Sequence, residues 1–234
     1  MNTANKTSRV LGFAFLLQFV TSLLSGTILR QLWFVPGDMS ASMLNIARQA
    51  MLMRANILVD VLTALGIVFL GAMLFLTLRH QNEKIALVAL ECYLVEAMLL
   101  AASRIETFSL LRISQAYAAS GQPANLLALG NLAYESMDFG GNVLHMLAFC
   151  VGGILFYYLL YKSSLVPKLL SLWGLITVIP CLIGTLFVVF GFQVPFFIYL
   201  PYAPFEFVIG IWILVKGVQD EAVIQQPIMS SYAG

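Results

Sequence analysis

The chain has 234 residues, 61% of them hydrophobic and 10% charged, with a mean hydropathy of +0.92, where an ordinary soluble domain is roughly half apolar and a quarter charged. That excludes water as the solvent for most of the surface; because the apolar residues come in long blocks, the bilayer is the phase that suits them, and helices are the structure. A formal net charge of +1 offers no basic or acidic imbalance and excludes nucleic acid as a partner.

The first apolar run, residues 10–29, follows Lys6 and Arg9 as a signal peptide would. It is long enough to span, about 20 residues, and shows no clear small-residue cleavage site, so it reads as a retained anchor. Residues 42–53 place Met43, Leu44, Ala47 and Met51 at helical spacing ahead of the second span at 57–78. The polar turn Arg79-His80-Gln81-Asn82-Glu83-Lys84 leads to a third span at 85–102, whose helix is expected to continue through Ile105, Phe108 and Leu111. Gly121-Gln122-Pro123-Ala124-Asn125 stops that helix and restarts another, which runs through 126–134 into the fourth span at 139–161. Lys162-Ser163-Ser164 turns the chain into a fifth span at 169–192, and Gln193 with Pro195 into a sixth at 196–215. The expected fold is an all-α integral membrane protein, one membrane domain over residues 1–234, built as a six-helix bundle with a helical cap on the non-cytoplasmic side.

An even number of spans puts both termini on one side. If that side is the cytoplasm, it holds Lys6, Arg9, Arg79, Lys84, Lys162, Lys168 and Lys216, leaving Arg30, Arg48, Arg54, Arg104 and Arg112 outside. Every lysine then lies inside, as the positive-inside rule favours, and the outer arginines call for acidic partners. Cys92, Cys150 and Cys181 fall in apolar runs without a CxxC pair and read as small core residues.

Ionisable groups inside spans are expensive and face a bundle interior or a wet cavity. On the fourth helix Glu135, Asp138, Asn142 and His145 are spaced i, i+3, i+7 and i+10, one polar stripe at 100° per residue. The second span offers Asn56, Asp60 and Thr63 at i, i+4 and i+7; the third carries Glu96, Ser103 and Arg104; the sixth adds Glu206 after Pro201 and Pro204. All lie at outer or middle depth, so Asn56, Asp60, Glu96, Arg104, Glu135, Asp138, Asn142, His145 and Glu206 are the candidate lining of a pocket open to the non-cytoplasmic side, with Glu91 too deep to belong. The competing reading is structural: Arg54 and Arg104 neutralise Asp60, Glu96 and Glu206 as buried pairs that bind nothing.

His145 can be a ligand, a general base or a hydrogen-bonded core histidine, the last being the commonest role for a lone histidine. His80 lies in the opposite turn, which disfavours a zinc hydrolase; one histidine with several carboxylates leaves a divalent ion open, but no metal site is assigned and no cofactor is named. The aromatic stretch at 196–202 reads as an interfacial belt, and Phe156, Tyr157, Tyr158 and Tyr161 as a second one. Gly140-Gly141 and Gly152-Gly153 read as sites of close helix approach. The P-loop, HExxH and GxSxG patterns and an intramembrane Schiff-base lysine are missing, so ATPase, standard metalloprotease and retinal-pump readings lose their usual support.

The segment YKSSLVPKLLSLWG at 161–174, the closing EFVIGIWILVKG at 206–217, and His145 with the glycine-rich run after it resemble a bacterial membrane family named for a domain of unknown function, DUF4386. The resemblance implies a six-span inner-membrane protein and carries over no catalytic residues. On the residues themselves, the leading expectation is a binding or sensing module for a lipid or small molecule, with the bilayer as its surroundings. Two alternatives stay open: an intramembrane lipid-modifying enzyme with His145 or Glu96 as base and Arg104 as clamp, and a small transporter or proton-relay subunit.

Overall fold

The computed structural model describes residues 3–218, all helices and connections with no strand. Helix α1 (Thr3–Leu23) runs on through a π-helical turn (Leu24–Leu29) into the single turn α2 (Arg30–Trp33). Helix α3 (Met39–Arg48) starts where Asp38 accepts a hydrogen bond from the Ala41 amide at 2.8 Å, an N-cap that satisfies one of the helix's free N–H groups. Helices α4 (Ala50–Leu78) and α5 (Glu83–Ala119) are joined by the polar turn, where Asn82 caps α5 by accepting from the Ile85 amide at 3.1 Å.

Gly121 (φ 78°) and Gln122 (φ 66°) reverse the chain after α5. The fourth rod is then helical throughout: α6 (Ala124–Asp138), a second π-helical turn (Phe139–Leu144) and α7 (His145–Ser163). Ser164 in the left-handed region (φ 54°) ends it. Helix α8 (Lys168–Val189) and helix α9 (Ala203–Lys216) complete the bundle, with a short 3₁₀ turn (Phe196–Ile198) between them.

Six of these rods are long and apolar enough to cross a membrane. Each expected apolar run falls largely within one of these rods, with different ends. The first continues to Trp33; the fifth stops at Val189, where Gly191 (φ 84°) turns the chain; and the last is regular only from Ala203, because Pro201 and Pro204 deny the backbone its early helical donors. The faces turned outward are apolar, as Leu58, Leu62, Leu65 and Leu76 on α4 illustrate.

Helix α1 packs between α4 and α9, α5 between α4 and α7, and α7 carries α8 on its other side. Where α1 meets α9 the backbones nearly touch: a Cβ on Gly12 would lie 2.5 Å from the Leu214 nitrogen. The main core is aromatic at its centre, with Tyr93 edge-on to Phe156 (5.1 Å between centroids) and Tyr157 edge-on to Phe205 (5.0 Å). A second apolar cluster, including Trp33, Met43, Ile46, Met53, Leu110 and Met137, joins α3 to the ends of α4, α5 and α6 away from the 79–84 turn.

Candidate functional site

The site is built at the level of the two π-helical turns. Asp60 on α4 accepts from Arg104 Nη1 on α5 at 2.5 Å, with only 7% and 12% of the two side chains exposed. One turn earlier on α4, Asn56 donates from Nδ2 to the same carboxylate oxygen at 2.9 Å, and its Oδ1 accepts from Trp33 Nε1 at 3.4 Å. Arg104 also donates through Nε and Nη2 to Ser103 Oγ, at 3.2 and 2.7 Å. Gly141, in the second π turn, lies against this guanidinium; a Cβ there would overlap Arg104 Nη2 and come within 2.8 Å of Ser103 Oγ. The glycine pair expected to allow close helix approach therefore makes room for a charged side chain.

A second cluster is more open. Arg30, the residue after the first π turn, donates to Asp138 Oδ1 at 3.1 Å and to Tyr134 Oη at 2.6 Å, and its guanidinium stands 4.9 Å from the Phe34 ring centre. Phe34 stacks on Tyr134 (5.1 Å, 7°), and Asn142 donates to the same Asp138 oxygen at 2.7 Å. Each of the two arginines is thus held by its own aspartate.

Beside these pairs lie two cavities of about 180 and 320 Å³ that share a wall formed by Gln18, Ser22, Gly26, Glu96, His145 and Met146. The smaller is the more polar of the two and reaches Asn56, Asp60, Arg104 and Asn142. The larger is mostly apolar; Leu23, Phe196 and Leu200 on its rim are 44–72% exposed on the outer surface of the bundle, so it opens sideways between α1 and the 196–203 segment. Three buried atoms on the shared wall have no hydrogen-bond partner: Gln18 Oε1, Glu96 Oε2 and His145 Nδ1. Glu206 borders the larger cavity and accepts from Tyr202 Oη at 2.8 Å; Tyr202 in turn accepts from Tyr157 Oη at 2.5 Å.

Of the residues expected to converge, Asn56, Asp60, Glu96, Arg104, Asn142 and His145 line the smaller cavity, and Glu206 meets Glu96 and His145 at the larger. Asp138 stands at the rim through its bonds to Arg30 and Asn142. Glu135 lines neither cavity and is exposed. The i→i+5 bonding of the Phe139–Leu144 turn adds a residue to the helix there, so a 100° count across it fails and Glu135 leaves the face that Asn142 and His145 share.

Arg54 is exposed and Glu96 and Glu206 have no ion pair, so among the described residues the expected structural pairing holds only for Asp60 with Arg104. Among the same residues no three His, Cys, Asp or Glu side chains converge as a metal site. The aromatic belts are corrected in part: Phe196 and Phe197 are exposed as a belt requires, but Phe156, Tyr157 and Tyr202 are core residues. The missed contributors are Gln18, Ser22 and Arg30. The first two, with Ser25, recur at i, i+4 and i+7 in the first apolar run, a polar stripe that a plain anchor would not need.

Six long apolar helices, one buried and one partly exposed arginine–aspartate pair, and no soluble unit among the described residues define a multi-pass α-helical membrane protein. The chain belongs to the family described as a domain of unknown function, DUF4386, whose model matches residues 10–217. No match was found among curated proteins or among solved structures.

Proposed function

We propose that the protein is a binding or sensing module for an amphiphilic small molecule or lipid, seated in the bacterial inner membrane with both termini cytoplasmic and the polar cavity facing the non-cytoplasmic side. The observation that carries this reading is the convergence of Gln18 Oε1, Glu96 Oε2 and His145 Nδ1, buried and unpartnered, on one wall. Leaving a buried polar atom unpaired costs ~1–3 kcal/mol, and a fold tolerates three together where something else completes them. The adjoining apolar cavity suits a chain, and its lateral opening suits entry from the bilayer. The lysine distribution supports the orientation.

The clamp role in an enzyme reading loses support, since Arg104 already donates to Asp60 and Ser103. A proton-relay reading loses support too, because Glu91, the carboxyl that lies deeper than the pocket, is exposed on the outside of α5 beside Leu147 and Val151.

Gly26 supplies the test. It lies on the shared wall, and a Cβ there meets nothing within 4 Å. Gly26→Leu is expected to fold normally while displacing the occupant, so mass spectrometry of extracts from the purified protein should show a species in the parent that is depleted at least fivefold in the variant. Identical extracts from the two would overturn the reading.

A further inference from the structure

The charges around the two cavities do not balance. Arg30 is paired with Asp138 and Arg104 with Asp60, while Glu96 and Glu206, both on the larger cavity, have no cationic partner among the described residues. Arg104 has every nitrogen engaged by Asp60 or Ser103. An anionic headgroup would therefore meet two carboxyls and no free guanidinium. Glu96 is 4% exposed and Gln18 8%, so neither finds its missing partner in bulk water.

The unpartnered atoms also agree in kind. Glu96 Oε2 and Gln18 Oε1 are acceptors, Gln18 using its amide nitrogen on Ser22 Oγ at 3.2 Å, and His145 Nδ1 accepts when the ring proton is on Nε2. Three acceptors lacking donors, with an acidic excess, match a group that carries positive charge and three N–H donors.

Resting on the amphiphile reading above, we propose that the polar end of the ligand is a primary ammonium, bound at the wall formed by Gln18, Glu96 and His145 with its chain in the Phe19–Leu200 side of the larger cavity. A long-chain amine and an aminophospholipid headgroup share this chemistry.

The test is thermal unfolding of the full chain in a neutral maltoside detergent, titrated with decylamine, dihexanoyl phosphatidylethanolamine, decyltrimethylammonium or decyl sulfate. Decylamine or the ethanolamine lipid should raise the midpoint by about 4 °C or more near saturation, and which of the two does so identifies the source. The concentration for half the effect should rise about tenfold or more in Glu96→Gln and Glu206→Gln, and stay unchanged in Glu135→Gln, outside the cavities. Should Glu96→Gln not fold, Glu206→Gln and Gly26→Leu carry the comparison. If decyltrimethylammonium protects as well as decylamine, the three-donor match is wrong. If decyl sulfate protects as well and Gly26→Leu abolishes its effect, the ammonium assignment is overturned while the cavity remains a binding site. If no probe's effect depends on Gly26, Glu96 or Glu206, the binding reading falls with it.

Discussion

Arg30 and Asp138 meet at 3.1 Å, joining the residue that follows one π-helical turn to the residue that precedes the other. The contact lies beside the smaller cavity, which Arg30 lines, and ties the first membrane rod to the fourth. With 28% and 37% of these side chains exposed, the pair is worth only about 0–1 kcal/mol in stability. Arg30→Ala is therefore expected to leave the unfolding midpoint within a few degrees of the parent while speeding release of a bound amphiphile several-fold, measured by stopped-flow dilution. A large loss of stability with unchanged release would mean that the contact is a structural strut.

Gly141 makes a sharper demand. A methyl group there displaces a guanidinium that is already fixed by Asp60 and Ser103, so Arg104 must surrender one of those bonds. Gly141→Ala should lower stability by ~1–3 kcal/mol, the usual range for overpacking. Gly140→Ala, whose Cβ would meet Ser103 Cβ at 3.2 Å and Ser103 Cα at 4.0 Å, should cost less. Denaturation of the two variants side by side checks the order.

Orientation is open to labelling. In a background lacking Cys92, Cys150 and Cys181, cysteines at Lys84 and Lys168 should resist a membrane-impermeant thiol reagent in intact cells, and one at Gln122 should react. Labelling at position 168 but not at 122 would reverse the assignment.

What a sequence reveals of such a bundle follows from what each signal depends on. Spans were readable because hydrocarbon thickness sets a length that composition alone reveals. Asp60 and Glu96 were readable as buried because carboxyls in apolar runs have few places to go. Of the partners, only Arg104 for Asp60 was among those expected. Which arginine meets which aspartate depends on helix rotation, and the two π turns alter rotation without a clear mark in the sequence, which is why Glu135 was placed with Asn142 and why Arg30 was overlooked for Asp138. Gln18 and Ser22 were readable in principle, as a polar stripe in the first run. The buried positions of Tyr157 and Tyr202 were not, since an aromatic near a span end looks the same whether it faces lipid headgroups or a neighbouring helix.

With Glu96 held in reserve for a ligand and Asp60 held for the fold, one comparison separates them: the unfolding free energies of Glu96→Gln and Asp60→Asn in protein stripped of bound lipid. Asp60→Asn leaves Arg104 buried opposite a neutral amide and should cost ~3–5 kcal/mol. Glu96→Gln removes a buried carboxyl that has no partner and should be neutral or stabilising. Equal losses of several kcal/mol in both variants would mean that Glu96 is as structural as Asp60 and that the whole polar cluster serves the fold.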